Sequence, residues 1–288
     1  MKLRNCRYVL ATGTTGRYAG CDVLAHPEMN QLDCLWNSGF YSNQSQVFLS
    51  LLILLSHGII PETICYALGF RRLKKDPNRD VYHDFYRMDP NVEVQLLKTV
   101  TLPDENRKQF DLYDFEYYNP IVKRFFTPSD VVLERKNMLM DKYEIDPDKT
   151  ISVLYRGTDK STELVLAHPQ DYLIVTQRLL QKNPDFKVLL QTDQTQVIQM
   201  FVEALGDKVV FFEETPSTTG RDSMISAMER DNGDMTDWMQ WFDAALRVVA
   251  DCAAVVSHTG NCGLWMNLYR GSTTNVFQFD ELGAIDLG

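Results

Sequence analysis

The sequence predicts an α/β protein whose second half is a parallel sheet covered by helices on both faces. Three observations lead to this prediction. Apolar runs of strand length alternate with helical segments from residue 150 onward. These runs are apolar at nearly every position, as expected for strands that are buried on both sides. In the first half, a loop, an apolar helix and a strand follow one another in the order typical of an α/β layer.

The elements of the second half can be placed along the chain in order. Strands are predicted at 150–154, 187–191, 209–212 and 253–257. Helices are predicted at 170–182, 195–205, 234–251 and from 263 onward. Ligands of such sheets bind beyond the carboxyl ends of the strands, so the loops that follow strands are where a site is expected.

The first half has fewer regular patterns. An apolar run at 7–10 and a turn-rich loop at 12–20 precede an apolar helix at about 45–57 and a strand at 62–68. The polar segment 71–120 is predicted to consist of loops that form an acceptor-side insertion. A helix at 129–143 follows, and Ser129 can cap it.

Composition excludes several classes of function. The chain of 288 residues carries a formal charge of −10, which argues against nucleic acid as the main partner. Its six cysteines show no zinc-site spacing, and no metal is expected. The longest apolar run, 47–60, is too short for a membrane span, which needs about twenty residues. The N-terminus lacks the apolar core of a signal peptide, so a soluble, cytoplasmic protein is expected.

A charged loop follows the first strand of the second half. It reads Tyr155-Arg156-Gly157-Thr158-Asp159-Lys160-Ser161-Thr162-Glu163. An arginine can donate two hydrogen bonds to phosphate oxygens and stabilise the charge on a departing diphosphate. Gly157 would let the backbone approach a ligand closely. The alternative is a surface ion pair between Arg156 and Asp159 on an ordinary loop.

Two further loops share this character. Ser257-His258-Thr259-Gly260-Asn261-Cys262-Gly263 joins a strand to a helix, whose free N–H groups would attract a phosphate. By itself this segment is better explained as a plain strand–helix turn, and His258 as a turn or core histidine. The loop Gly39-Phe40-Tyr41-Ser42-Asn43-Gln44 precedes the apolar helix, where Asn43 as an N-cap is the simpler interpretation.

These segments together resemble the fucosyltransferase-like superfamily, which includes the α1,6-fucosyltransferases, the nodulation fucosyltransferases and the protein O-fucosyltransferases. The loop from Leu154 to Glu163 resembles the arginine-containing donor motif, and its Asp-Lys followed by Thr-Glu is most similar to the α1,6 branch. The 39–44 loop resembles a Gly-Phe-x-Asn-Gln loop of such enzymes. Two further segments match elements of these enzymes in order and rough spacing. They are Phe126-Thr127-Pro128-Ser129, and Asp243 followed by the 257–262 loop. The resemblance covers about residues 36–70 and 120–270.

The resemblance implies a GT-B-like α/β fold, in which two Rossmann-like domains face each other across a cleft. It implies inverting transfer with no metal and no other cofactor. The chain would then divide into an acceptor-side domain at 1–128, a connecting helix and turn at 129–149, and a donor-binding domain at 150–288.

The resemblance also implies roles for individual residues. Arg156 would hold the β-phosphate with help from Lys160, while Glu163, or else Asp159, would be the general base. Asp243 would face the base or ribose of the donor. The implied donor-binding positions, besides Arg156, are Gly39, Asn43, Asp243, His258, Thr259, Gly260 and Asn261.

Two positions depart from the family pattern. The family usually has a histidine two residues before the arginine, where it helps to recognise guanine, and here that residue is Leu154. A second arginine often follows the first, and here that residue is Gly157. A UDP sugar such as UDP-xylose therefore competes with GDP-fucose as the expected donor.

The resulting hypothesis is an inverting, metal-independent glycosyltransferase that acts on a glycan or glycoconjugate hydroxyl. The alternatives are a nucleotide-binding module without activity and another transferase on a Rossmann-type sheet. The sequence has no Walker A motif, and its 12–16 segment lacks dinucleotide-fingerprint spacing. Asp146-Pro147-Asp148 is the only obvious D-x-D, and its turn context argues against a metal role.

Overall fold

The structure is a computed structural model that describes the greater part of the chain. The described residues are 7–10, 21–26, 31–34, 39–56, 58–67, 69–95, 114–158, 166–215, 217–219, 234–280 and 283–286. The predicted loop at 12–20 lies outside these ranges, and so do three of the predicted catalytic residues, Asp159, Lys160 and Glu163.

The first half contains a small mixed sheet and one long helix. Its strands lie side by side in chain order: β1 (Arg7–Leu10), β2 (Cys21–His26), β3 (Gln31–Cys34) and β4 (Thr63–Cys65). β1, β2 and β3 pair antiparallel, whereas β3 and β4 are parallel and are connected through helix α1 (Phe40–Ser56). The β3–α1–β4 unit confirms the predicted helix and strand, although β4 is shorter than predicted and residues 40–44 of the predicted loop are helical.

Helix α1 begins five residues earlier than predicted. The backbone N–H of Asn43 already donates to the Gly39 carbonyl at 2.9 Å, so Asn43 lies in the first turn and is not the N-cap. Phe40 and Tyr41 are buried and pack on aromatic rings of the core, which explains the early start. Among the described residues, no helix combines the length and the apolar character that crossing a bilayer requires.

The segment 71–120 is not only loops, and that prediction was wrong. It contains α2 (Tyr82–Phe85), β5 (Tyr86–Arg87) and most of α3 (Phe115–Phe125). The short elements carry fully buried aromatic side chains, whose burial stabilises turns too brief to show a sequence period. After β6 (Thr127–Pro128), helix α4 (Asp130–Lys142) is capped by Ser129 Oγ, as predicted.

The second half is built on a six-stranded sheet. Its strands are β7 (Thr150–Tyr155), β8 (Lys187–Thr192), β9 (Val209–Val210), β10 (Ala254–His258), β11 (Val276–Asp280) and β12 (Gly283–Asp286). They lie in the order β12-β11-β10-β7-β8-β9, with β12 antiparallel and the others parallel. β11 and β12 were not predicted, because polar Gln278 interrupts the first run and the second is short.

Helices cover both faces of this sheet, as predicted. They are α5 (Pro169–Lys182), α6 (Thr195–Leu205), α7 (Thr236–Asp251) and α8 (Asn261–Arg270). α5 and α6 share a core with the β7 residues Ile151 and Val153. α7 and α8 share a larger core with Leu154 on the other face, and this core continues into α1 and α3 of the first half. Trp265 of α8 illustrates the continuity, since its ring lies 5.0 Å from that of Phe126.

Candidate functional site

The sheet order places a topological switch point between β7 and β10. From β7 the chain adds β8 and β9 on one side, and it then returns to place β10 on the other side of β7. At such a switch point the loops leave neighbouring strands in opposite directions and open a ligand crevice at the carboxyl edge. Arg156 follows β7 and Thr259 follows β10, so two of the predicted site loops meet at this edge.

Arg156 joins three loops at the crevice. Its Nη1 lies 3.3 Å from Cys262 Sγ in the first turn of α8, and its Nε lies 3.5 Å from Asp193 Oδ2 after β8. The side chain is 13% exposed and that of Asp193 is 14% exposed. The guanidinium therefore remains close to solvent, and Asp193 is a carboxylate partner for it among the described residues. The alternative partner, Asp159, lies outside those residues.

Asp193 organises the loop after β7, and sequence reasoning missed it. Its two carboxylate oxygens accept hydrogen bonds from the Gly157 backbone N–H at 2.9 Å and from Thr158 Oγ1 at 2.6 Å. The signal was present, because Thr192-Asp193-Gln194 is a polar run directly after an apolar strand. The loops after the first and last predicted strands show the same feature, polar residues directly after an apolar strand.

Gly157 is packed closely against two side chains of the protein. A Cβ on this residue would lie 2.6 Å from Gln194 Oε1 and 2.6 Å from the Tyr155 ring. The expected role of Gly157 was close approach to a ligand, and the structure provides this second reason for a glycine.

The loop after β10 places a helix N-terminus at the crevice. Gly260 precedes α8 with φ 125° and ψ 174°, a conformation that favours glycine, and no side chain caps the helix. The first N–H groups of a helix have no intrahelical acceptor and carry partial positive charge. Thr259 is buried, and its backbone N–H donates to the Phe279 carbonyl at 3.2 Å.

His258 is buried between two strands. Its Nδ1 lies 3.2 Å from the Leu154 carbonyl oxygen of β7, and the ring has almost no exposed surface. This environment agrees with the simpler reading of a core histidine. Leu154 is itself fully buried in the core on the α7 face, and its side chain has no polar group that could recognise a nucleobase.

The start of α1 meets the start of α8. Ser45 Oγ lies 2.8 Å from Asn261 Oδ1 and accepts a hydrogen bond from Trp265 Nε1 at 3.1 Å. Asn43, on the same turn of α1, is fully buried. Gly39 is partly buried, and a Cβ there would meet no atom within 4 Å. Ser45 was missed because nothing local in the sequence reveals its partner 216 residues away.

Asp243 is buried among protein groups. Its side chain has no exposed surface, and its oxygens accept hydrogen bonds from Tyr41, Tyr269 and Arg247. The expectation that it faces the base or ribose of a donor is therefore not supported by its position. With no exposed surface, this carboxylate can contact a ligand only if the groups that cover it move.

The D-x-D segment lies at the opposite edge of the sheet from Arg156. Asp146 caps the 3-10 turn Pro147–Lys149 that immediately precedes β7. Arg156 follows the last residue of that strand, so the full length of β7 separates the two. Within the described ranges, no group of three or more His, Cys, Asp and Glu side chains is arranged to hold a metal ion.

The fold is similar to that of known fucosyltransferases. No protein-family model matches the sequence, and no curated protein matches it. The structure of NodZ α-1,6-fucosyltransferase soaked with GDP-fucose is 13% identical, with a TM-score of 0.51, over 89% of this chain and 98% of that chain. Fucosyltransferase NodZ from Bradyrhizobium is 12% identical, with a TM-score of 0.47, over 87% of this chain and 94% of that chain. The first likeness shows that this chain has a fucosyltransferase-like, GT-B-like α/β fold.

Proposed function

We propose that this chain is an inverting glycosyltransferase that moves a sugar from a nucleoside diphosphate to a hydroxyl of a glycan or glycoconjugate without a metal ion. The observation that carries the proposal is the meeting of Arg156 and the N-terminus of α8 at the switch point of the sheet. The similar fold of a fucosyltransferase that was soaked with GDP-fucose supports the same assignment.

The two groups at the crevice suit a diphosphate. A guanidinium binds phosphate oxygens through parallel hydrogen bonds, and the first N–H groups of α8 provide further donors beside it. Both are positive, so they stabilise the negative charge that grows on the diphosphate as the sugar leaves. The 3.3 Å contact between Arg156 and Cys262 holds these two groups together.

The transfer itself is a single displacement. The acceptor hydroxyl gives its proton to a carboxylate while its oxygen attacks the anomeric carbon, and the diphosphate leaves with the electron pair of the broken bond. Attack opposite the leaving group inverts the anomeric centre. Glu163 is the proposed base, with Asp159 as the second choice and Lys160 as a further positive charge. All three lie within seven residues of Arg156 in the sequence.

The proposed donor is GDP-fucose or a UDP sugar such as UDP-xylose. The buried Leu154 supports neither base, so direct binding has to separate them. Calorimetry with GDP and with UDP, in the presence of a chelator, is expected to show that one of them binds. Arg156→Ala is expected to weaken that binding about tenfold to a hundredfold, because hydrogen bonds to a charged group are lost.

Arg135→Ala is the matched control. The Arg135 side chain is 14% exposed and pairs with Asp237 on the surface between α4 and α7, so its loss is expected to leave nucleotide affinity unchanged. If neither GDP nor UDP binds the wild-type chain, the proposed function is wrong.

Turnover separates an enzyme from a binding module. Release of nucleoside diphosphate from GDP-fucose and from UDP-xylose is measured with water or a glycan as acceptor, and NMR gives the anomeric configuration of the product. Glu163→Gln is expected to retain binding and lose turnover. Donor binding without consumption of any donor would instead support the nucleotide-binding module.

A further inference from the structure

A cluster of polar side chains is buried where helices from both halves of the chain meet. We call it the carboxylate cluster, and its members are Tyr41, Tyr86, Asp243, Arg247 and Tyr269. Oδ1 of Asp243 accepts hydrogen bonds from the hydroxyls of Tyr41 at 2.8 Å and Tyr269 at 2.7 Å. Its Oδ2 accepts one from Arg247 Nε at 2.9 Å. The Tyr86 hydroxyl lies 3.1 Å from that of Tyr269.

The cluster is balanced in charge. Burial by itself lowers the pKa of Arg247, but the surrounding groups together, the Asp243 carboxylate first among them, raise it above its ordinary value, so the guanidinium stays charged. Arg247 Nη2 also donates to the Phe126 carbonyl at 3.0 Å, and the guanidinium lies 3.8 Å from the centre of the Tyr269 ring. The buried charges are thus paired and hydrogen-bonded, as their burial requires.

The tyrosine hydroxyls act as donors to the carboxylate. Burial, and then the neighbouring charge of Asp243, raise the pKa of Tyr41 well above its ordinary value. The hydroxyl therefore keeps its proton at neutral pH and remains available to Asp243.

The cluster is connected to the crevice through α1. Tyr41 lies in the first turn of this helix, two residues before Asn43. Its carbonyl oxygen lies 2.8 Å from Ser45 Oγ, which in turn lies 2.8 Å from Asn261 Oδ1. Asn261 begins α8 directly after Gly260, so a displacement of Tyr41 would be passed to the start of α8.

We propose that Asp243 is a positioning residue, which fixes the first turn of α1 through Tyr41 and fixes α8 through Tyr269. This role replaces the expected contact with the donor base. The catalytic consequence rests on the proposed function, since it requires that the start of α8 binds the donor diphosphate. The positioning itself does not depend on any ligand.

Tyr41→Phe and Tyr269→Phe test the proposal, because each keeps the ring and removes one hydrogen bond to Asp243. In each variant kcat is expected to fall about tenfold. The Kd of the nucleoside diphosphate is expected to stay within about threefold of wild type, since Arg156 is untouched. The preference between GDP and UDP is expected to remain the same.

Tyr172→Phe is the matched control. The Tyr172 hydroxyl is buried on the opposite face of the sheet and has no hydrogen-bond partner among the residues that the structure describes, so its removal is expected to leave kcat unchanged. Wild-type kcat in both Tyr41→Phe and Tyr269→Phe would overturn the positioning role. A changed ratio of GDP to UDP affinity in Asp243→Asn would instead show a direct contact with the base.

Hydrogen exchange of the unliganded protein tests positioning without reference to catalysis. Amides at residues 40–45 are expected to exchange about tenfold faster in Tyr41→Phe than in wild type, and those of β8 to be unchanged. Unchanged exchange at 40–45 would overturn the proposal. If wild type binds neither GDP nor UDP, the proposed function fails, while this measurement still decides whether Asp243 positions α1.

Discussion

Two Arg–Asp pairs in the described residues of the second half have different surroundings. Arg156 and Asp193 lie 3.5 Å apart at the crevice, each with more than a tenth of its side chain exposed. Arg247 and Asp243 lie 2.9 Å apart beneath it, where the arginine is 9% exposed and the aspartate is fully buried. Both pairs combine the same residue types, so the residue types alone do not distinguish them.

The two pairs differ in whether the arginine can exchange its carboxylate partner for a ligand. An ion pair near solvent is held weakly, and a ligand phosphate can replace a carboxylate as partner of the arginine. A buried pair has no water to replace a lost partner, so breaking it leaves a desolvated charge. The crevice pair is therefore suited to binding and the buried pair to holding helices together.

Alkaline pH is expected to have the largest effect, and it acts on the buried cluster. Burial raises the pKa of Tyr41, Tyr86 and Tyr269 well above the ordinary value of 10.0. These groups stay protonated in the folded chain while they ionise in the unfolded chain. The contribution of these three hydroxyls to the free energy of unfolding is therefore complete below about pH 10 and is lost as pH rises further.

Urea denaturation at increasing pH, with tyrosinate absorbance recorded in parallel, measures this loss. Ionisation of Tyr41, Tyr86 and Tyr269 is expected to coincide with unfolding. Ionisation of these tyrosines in a chain that stays folded would show that the hydroxyls are not held as described.

Asp243→Asn is expected to have the next largest effect. Removing one partner leaves the Arg247 charge buried and uncompensated, so the free energy of unfolding should fall by about 3–5 kcal/mol. Urea denaturation measures this free energy of unfolding. Asp237→Asn is the control, since Asp237 pairs with Arg135 at the surface and its loss should cost less than about 1 kcal/mol. Equal losses in the two variants would contradict the distinction between buried and exposed pairs.

Gly260→Ala tests the loop at the start of α8. At φ 125° an alanine is strained, and the variant should lose about 1–3 kcal/mol of unfolding free energy. Gly39→Ala, at the start of α1, should change stability by less than about 0.5 kcal/mol, because a Cβ there meets no atom within 4 Å. Thermal unfolding of both variants is the measurement, and a similar melting temperature for the two would disprove the backbone argument.

Asp193→Asn is expected to have the smallest effect, and it acts on the crevice. The amide keeps one acceptor for the loop after β7 but loses the charge that faces Arg156. The affinity for nucleoside diphosphate should change by less than about tenfold, and stability by less than about 1 kcal/mol. Calorimetry measures the first and urea denaturation the second, with Asp185→Asn at an exposed turn as control. A stability loss as large as that of Asp243→Asn would remove the contrast between the pairs.

Much of the fold was predictable from local pattern. The strands at 150–154 and 187–191 and the helix at 195–205 agree closely with the structure, because a buried strand is apolar throughout and an amphipathic helix repeats its apolar positions. The short elements between 82 and 128 were missed, because two to four residues are too few to show a period.

The sequence by itself determined the alternation of strands and helices, the cap at Ser129 and the polar loops after the strands, including the one that carries Arg156. All of these depend on residues that are close along the chain. Only the tertiary structure decided that Asp193 is the partner of Arg156, that Ser45 meets Asn261, and that Asp243 is buried. The physical reason is distance along the chain: Tyr41 donates to Asp243 across 202 residues, and no local pattern specifies which helix will cover a carboxylate.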